Sequence, residues 1–243
     1  MKQDRIYATL REEVEPFVFD RQVVRVFDDM IQRSVPNYRE LVQEIIELAV
    51  DAFQPETHLY DLGCSLGAVL IPVASRLASQ PGTICGIDQS PAMLEELFQR
   101  GDGLPIELVC GDLRQMDFKP ASVVILNLTL QFVPVEARYC LLARICDAMV
   151  HEGVLLLTEK ISAPNAGLDQ LYRERHHAFK RSQGYSDLEI HQKRQSLEDV
   201  MVTESKEVHL QRLADVGFSS VDVWHQRYNF ASFYAQISEK TSS

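Results

Sequence analysis

The sequence lacks the features that would place the protein in a membrane, in an oxidising compartment or around a metal ion. Its longest apolar stretch, residues 123–133, is interrupted by polar side chains and is too short to cross a bilayer. The first five residues have no apolar core of a secretory signal. The five cysteines are odd in number, scattered and without a Cys-x-x-Cys pair, which disfavours a disulfide framework and a metal site. We therefore expect a cytoplasmic protein with reduced cysteines and without a bound metal or a membrane segment.

Basic side chains are also scarce. The 24 Lys and Arg stand against 35 Asp and Glu, a formal net charge of −11. Binding to a phosphate backbone needs clustered Lys and Arg, so no direct nucleic-acid partner is expected. Hydrophobic residues make up 46% and charged residues 24% of the chain, which is ordinary globular usage and excludes disorder.

The spacing of apolar residues predicts an α/β fold. From Phe19 to Phe53, apolar residues recur at steps of three and four, which is typical of helices. Strand-like and helical segments then alternate, and the alternation indicates a parallel sheet with right-handed crossovers. The predicted strands cover residues 58–62, 83–88, 106–110, 122–126 and 153–158, and the first helix between them covers residues 66–77.

The pattern changes after the fifth strand. Residues 162–203 show no strand signal and predict polar helices interrupted at Gly184. A helix over residues 205–216 is followed by strands over 221–226 and 229–237, which lie too close for a crossover helix and should pair as a hairpin.

These elements predict one Rossmann-like domain over residues 1–243. Its sheet has seven mostly parallel strands and ends in a C-terminal antiparallel hairpin. Residues 1–56 form an N-terminal helical extension, and residues 161–203 form a helical insertion after strand five that can fold over the site as a lid.

A glycine-containing loop at residues 61–67, Asp-Leu-Gly-Cys-Ser-Leu-Gly, follows the first strand. It is not a dinucleotide fingerprint, because Ser65 and Ala68 stand where glycines are needed, and no Gly-Lys-Ser/Thr of a P-loop occurs. The looser pattern is typical of loops that carry S-adenosylmethionine. Cys64 has no nearby histidine or asparagine to activate it, so a packing role is favoured over a nucleophilic one.

Polar residues end the next three strands. Asp88 ends the second strand, where a carboxylate can accept both ribose hydroxyls. Asp112 follows the third, where it could meet an adenine amino group, and Asn127 ends the fourth. Each one alone also fits an ordinary turn or cap. Together they lie at the carboxyl edge of the sheet, where open α/β sheets bind ligands, and so predict a nucleoside pocket.

Several motifs resemble the carboxy-S-adenosyl-L-methionine synthase family, and the likeness runs from about Phe19 to Phe230. The motifs are Val35-Pro36-x-Tyr38, Tyr60 to Gly67, Ser90-Pro91-Ala92-Met93, Leu126-Asn127-x-Thr129-Leu130-Gln131-Phe132, Phe179-Lys180-Arg181, Gly184-Tyr185-Ser186 and Gln192-Lys193-Arg194. The resemblance implies a class I methyltransferase fold and a homodimer. It also implies transfer of the prephenate carboxylate to the methyl carbon of S-adenosylmethionine, with release of phenylpyruvate. The product would serve a partner enzyme that builds the oxyacetyl group on wobble uridine in tRNA.

The same resemblance assigns the site. The implied cofactor-contacting residues are Tyr38, Gly63, Cys64, Ser65, Asp88, Gln89, Asp112, Leu113, Asn127 and Arg194. Arg194 is also the implied catalytic residue that grips the added carboxylate, within its own chain or across a subunit interface, a task that suits a permanently charged guanidinium. Gln89 and Leu128 depart from the Asn and the aromatic residue that are common in the family.

The implied chemistry also predicts the character of the cavity. Aromatisation of the prephenate ring supplies the driving force, and the departing hydroxide can take the methyl proton. We therefore expect a dry cavity with few protein bases. The adjacent His176 and His177 should point apart on a helix, so at least one is expected to have a packing or surface role.

Two other functions fit the sequence. One is a conventional S-adenosylmethionine-dependent methyltransferase that acts on a small carboxylic acid held by Arg194. The other is a non-catalytic protein that binds a nucleoside.

Overall fold

One sheet organises the protein, whose structure is a computed structural model that describes residues 2–238. The strand order is β3-β2-β1-β4-β5-β8-β7, and the short strand β6 pairs with β5 outside this order. The strands are β1 (His58–Leu62), β2 (Thr83–Asp88), β3 (Ile106–Cys110), β4 (Ala121–Asn127), β5 (Met149–Ser162), β6 (Glu204–Ser205), β7 (Ser220–Arg227) and β8 (Phe230–Gln236). β8 pairs antiparallel with β5 and with β7, whereas the remaining pairs are parallel. The predicted seven-stranded, mostly parallel sheet with its terminal hairpin is confirmed.

Helices cover both faces of this sheet. They are α1 (Arg21–Val24), α2 (Phe27–Ser34), α3 (Tyr38–Ala52), α4 (Leu70–Leu77), α5 (Pro91–Arg100), α6 (Val135–Ala148), α7 (Ala166–Ser182), α8 (Asp187–Leu197) and α9 (Lys206–Asp215). α1 to α3 form the predicted N-terminal extension, and α7 and α8 form the insertion after β5. Among the described residues, no helix has the length and apolar character needed to cross a membrane. Residue 1 and residues 239–243, which the predicted domain includes, lie outside the described range.

Local sequence explains where several helices begin. At α5, Ser90 accepts a hydrogen bond from the Met93 N–H at 3.2 Å, and Pro91 occupies the first helical position. At α8, Ser186 and Glu189 form a reciprocal capping box. These caps satisfy backbone N–H groups that lack partners within the helix.

Three elements differ from the prediction. The fifth strand, expected over residues 153–158, is β5 over Met149–Ser162, because pairing with Ala121 of β4 at its start and with β6 at its end extends it. The helix expected to begin at residue 66 begins at Leu70, because the chain still turns through Gly67, whose φ of 78° is left-handed. The two-residue strand β6 carries too little pattern for sequence analysis to detect, and it is formed by parallel pairing with the end of β5.

Two large apolar cores lie on opposite faces of the sheet. One packs α3, α4 and α5 against it, and the other packs α6 and α9. A third, smaller cluster joins Tyr7, Phe17 and Met30 of the N-terminal region to Leu66 and Met93. This cluster places the N-terminal region over the loop after β1.

Candidate functional site

The loop after β1 is shaped by close backbone approach. The N–H groups of Gly63 and Cys64 both donate to the Ile87 carbonyl, at 2.7 and 3.1 Å. Gly63 has a φ of 79°, and a Cβ there would lie 2.4 Å from the Thr129 Oγ1. Only glycine fits this position, because a side chain would meet both backbone strain and a steric clash.

Asp88 ties this loop to the start of α5. One of its carboxylate oxygens accepts from the Ser65 N–H at 2.9 Å, and the other accepts from the Ser90 N–H at 2.8 Å. Burial raises the pKa of Asp88 despite these two donors. Each oxygen keeps a second lone pair, so the carboxylate can still accept from a pair of ligand hydroxyls.

A cavity of about 290 Å³ lies at the carboxyl ends of β1, β2, β4 and β5, the edge at which open α/β sheets bind ligands. Eight of the ten predicted site residues line it. These are Tyr38, Gly63, Cys64, Ser65, Asp88, Gln89, Leu113 and Asn127.

Two acceptors in this cavity fit a nucleoside ligand that carries positive charge. The Asn127 Oδ1 is buried and has no hydrogen-bond partner within residues 2–238. Asp61 also lines the cavity, and burial, together with the neighbouring Asp88, raises its pKa to about 7. An S-adenosylmethionine ammonium or sulfonium group near Asp61 would favour the charged carboxylate. The residues present therefore fit this molecule.

The other two predicted residues lie outside the cavity wall. Asp112 accepts from the Arg114 N–H at 2.9 Å and pairs with the Arg114 guanidinium at 2.6 Å, which lowers the pKa of Asp112. Its neighbour Leu113 lines the cavity instead. Arg194 is exposed on α8, close enough to Lys160 and His177 to influence both electrostatically.

Cys64 lines the cavity as a buried thiol. It is 4% exposed, and burial raises its pKa well above the usual range. Its Sγ also lies 3.0 Å from the position of a Cβ built on Gly86. These facts support the packing interpretation, because a nucleophilic cysteine needs a lowered pKa.

The N-terminal region forms the apolar side of the cavity. Phe17, Phe19, Phe27, Met30 and Ile31 all line it. Phe19 also contacts Phe132, which follows β4, edge to face at a centroid distance of 5.4 Å. Helix α2 and the segment before α1 thus cover the pocket of their own chain.

Sequence analysis missed the basic side of the cavity. Lys160, His176, Lys180 and Lys193 all line it, so it holds more titratable groups than the implied chemistry led us to expect. His176 is buried and forms a hydrogen bond with the Ser34 carbonyl through Nε2 at 2.7 Å. His177 does not line the cavity, in agreement with the divergence expected of adjacent helical residues.

The insertion motifs also hold the N-terminal segment in place. The Tyr185 hydroxyl donates to the Asp4 carboxylate at 2.5 Å. The Gln192 Nε2 donates to the carbonyls of Tyr7 and Thr9, both at 2.9 Å, and its Oε1 accepts from the Arg11 N–H at 2.7 Å. These motif residues join α8 and the turn before it to the N-terminal segment.

Glu159 positions the loop after β4. It is fully buried, and its two carboxylate oxygens accept from the N–H groups of Leu130 and Gln131, each at 2.8 Å. Burial raises the pKa of Glu159 to about 8. This residue holds the segment that carries Thr129 and Phe132 into the cavity wall. A buried acid in the middle of an apolar strand was the available sequence signal.

The fold belongs to the class of S-adenosylmethionine-dependent methyltransferase folds. Its defining features are the mostly parallel sheet, the loop after β1, the acid Asp88 at the end of β2 and the polar Asn127 at the end of β4. The methyltransferase domain family matches residues 59–153. A putative O-methyltransferase from Nostoc punctiforme is 18% identical with a TM-score of 0.63; the match covers 89% of this chain but only 59% of that one. Magnesium protoporphyrin IX methyltransferase from Synechocystis, solved with bound S-adenosylmethionine, is 17% identical with a TM-score of 0.56, and covers 91% of this chain and 99% of its own.

A curated relative identifies the family within this class. The carboxy-S-adenosyl-L-methionine synthase of Trichlorobacter lovleyi is 46% identical over 239 residues, which are 96% of this chain and 98% of the relative. The chain belongs to the carboxy-S-adenosyl-L-methionine synthase family. It is therefore an S-adenosylmethionine-dependent transferase, as the sequence motifs predicted.

Proposed function

We propose that the protein converts S-adenosylmethionine and prephenate to carboxy-S-adenosyl-L-methionine and phenylpyruvate. The product would supply the carboxymethyl group for the oxyacetyl modification of wobble uridine in tRNA. The observation that carries the proposal is 46% identity over nearly the full length to a synthase of this name. The cavity supports it, because nucleoside acceptors line one end and basic side chains suited to an acidic second substrate line another part.

In the proposed reaction, no protein residue forms a covalent bond to a substrate. Prephenate loses its ring carboxyl group and its hydroxide as the ring becomes aromatic. The methyl carbon of S-adenosylmethionine loses a proton, which leaves with the hydroxide as water, and forms a bond to the carboxyl carbon.

The residues of the cavity bind, orient and exclude water. Asp88 and Asn127 would hold the nucleoside, and Asp61 would face positive charge. Phe19 and Phe132 close an apolar side, which excludes water and strengthens the electrostatic interactions inside.

Mass spectrometry after incubation with S-adenosylmethionine and prephenate tests the proposal. We expect an adenosyl product heavier by one carboxyl group in place of a hydrogen, together with phenylpyruvate. Formation of S-adenosylhomocysteine would instead indicate a conventional methyltransferase acting on a small acid. Absence of turnover would favour a nucleoside-binding protein.

We also propose that Arg194 grips the added carboxylate. Arg194→Ala should then reduce turnover by at least tenfold, whereas Arg175→Ala, at another exposed arginine of the insertion, should not. Near-normal turnover of Arg194→Ala would contradict the role.

A cytoplasmic homodimer is part of the same proposal. Sedimentation equilibrium should give twice the 27.7 kDa mass of one chain. A mass of one chain at micromolar concentration would contradict it.

A further inference from the structure

Among residues 2–238, two lysines that line the cavity, half-buried Lys160 and buried Lys180, have no acidic partner within 4 Å. Lys160 lies near the carboxyl end of β5, and Lys180 lies on α7 and is only 9% exposed. Within residues 2–238, neither ammonium group makes a hydrogen bond or an ion pair within 4 Å. Lys193 differs, since its Nζ contacts the Ser34 Oγ at 3.1 Å and the Asp4 carboxylate at 3.9 Å.

The surroundings of these amines carry excess positive charge. The positive charges of Lys193 and Lys160 lower the pKa of Lys180, and the charge of Arg194 lowers the pKa of Lys160. The charge of Asp169 raises the pKa of Lys160, but Asp169 is already paired with Arg173 at 3.6 Å.

Burial and these neighbouring cations lower the pKa of both lysines. Burying unpaired charge is costly, and a bound anion would offset that cost.

Lys160 lies away from the nucleoside end of the cavity, and Lys180 lies close enough to Lys160 for its pKa to be lowered by that charge. Asp88 ends β2 and Lys160 lies near the end of β5, and the order β2-β1-β4-β5 places three inter-strand spacings between them, roughly 14 Å at about 4.8 Å each. S-adenosylmethionine carries a sulfonium cation, which the amines would repel. S-adenosylmethionine also has an anionic group, its amino-acid carboxylate, but that carboxylate is attached to the same carbon as an ammonium group, which the amines would repel as well. A carboxylate of the second substrate is therefore the better match.

Apolar side chains beside the amines suit a ring. Phe230 pairs with Lys160 across the β5–β8 ladder and lines the cavity. Its ring also meets His176 edge to face at 5.2 Å. Amines next to this aromatic side chain match a small cyclic or aromatic acid.

We propose that Lys160 and Lys180 bind the carboxylate that the second substrate keeps through the reaction. This inference rests on the proposed function, in which prephenate has two carboxylates and phenylpyruvate retains one. The transferred carboxyl group would face Arg194, and the retained keto-acid carboxylate would sit on the lysine pair. The two lysines then determine specificity for the acid without binding the nucleoside.

Calorimetric titration of phenylpyruvate into the enzyme tests this assignment. Lys160→Met and Lys180→Met should each weaken binding at least tenfold while S-adenosylmethionine affinity stays within twofold. Phenylacetone, which keeps the ring and the ketone but lacks the carboxylate, should bind wild type and both variants equally. Lys206→Met is the matched control, because this lysine of α9 does not line the cavity and its Nζ donates to the Gln226 Oε1 at 3.3 Å. Unchanged phenylpyruvate affinity, or an equal loss for phenylacetone, would overturn the proposal.

Thermal unfolding separates a binding role from a structural one. Removing an unpaired buried charge should leave the melting temperature of both Met variants unchanged or raised. A lowered melting temperature together with weaker S-adenosylmethionine binding would assign the lysines to the fold and overturn the proposal.

Turnover is a separate readout. If phenylpyruvate binding depends on the two lysines but the wild type makes no carboxy-S-adenosyl-L-methionine, the proposed function alone is contradicted. If the wild type turns over but phenylpyruvate binds equally well to the wild type and to both lysine variants, this inference alone is contradicted.

Discussion

Gly63 is needed in the loop after β1 because it has no side chain. Gly63→Ala adds a left-handed penalty of about 1–2 kcal/mol and a Cβ 2.4 Å from the Thr129 Oγ1. We expect S-adenosylmethionine affinity to fall more than tenfold in calorimetry, because the loop must move away from the ligand.

Gly103 offers a matched control for this change. Its φ is 78°, but a Cβ there meets nothing within 4 Å. Gly103→Ala should lower the free energy of unfolding by about 1 kcal/mol and leave ligand affinity unchanged. Equal losses of affinity in both variants would show that backbone strain, rather than the contact with Thr129, governs the loop.

Asp61 gives the stability of the ligand-free protein a defined pH dependence. Its pKa is raised from 3.8 to about 7 in the folded state, so between these values the folded protein binds a proton that the unfolded chain does not. Stability contributed by this group is therefore present below pH 4 and is lost as pH rises to 7.

Asp61→Asn should remove that dependence. Urea unfolding from pH 4 to pH 8 measures the free energy of unfolding of both proteins. As pH rises, the free energy of unfolding of the variant should increase relative to that of the wild type, by at most about 4 kcal/mol. A stability difference that is independent of pH would contradict the shifted pKa.

At the scale of elements, α8 and the N-terminal segment act as one cover. Gln192 makes three hydrogen bonds to the backbone of residues 7–11. Gln192→Ala should cost about 2–3 kcal/mol, at roughly 1 kcal/mol for each bond. Hydrogen exchange should become faster in residues 2–17, and S-adenosylmethionine affinity should fall because Phe17 is released from the cavity wall.

Gln195 is the control for this element, since it lies exposed on the same helix. Gln195→Ala should change neither exchange nor affinity. Unchanged exchange in residues 2–17 of Gln192→Ala would show that the apolar cluster alone holds the segment.

At the scale of the whole molecule, charge is unevenly distributed. The insertion at residues 161–203 has equal numbers of acidic and basic side chains, so the rest of the chain carries the net charge of −11. We expect tRNA to bind more weakly than about 10⁻⁴ M at physiological salt, as measured by fluorescence anisotropy. Micromolar binding that weakens steeply with added salt would contradict this expectation.

The fold was predictable because its signals are local. Buried parallel strands such as β2 and β4 are short, mostly apolar runs, and the Ser90-Pro91 pair marks a helix start within two residues. The short β6 could not be predicted, because it depends on pairing with β5 rather than on a pattern of its own.

The nucleoside side of the site was also determined by the sequence. Gly63, Asp88 and Asn127 follow strands whose carboxyl ends meet at one edge of a parallel sheet, so strand order alone brings them together. The tertiary structure decided the rest. Lys160 and Lys180 come from β5 and α7, and only long-range packing brings both to one cavity, where Lys160 is half-buried and Lys180 is buried. Within residues 2–238 neither ammonium group has an acidic partner within 4 Å, and this property depends on the three-dimensional surroundings rather than on spacing along the chain.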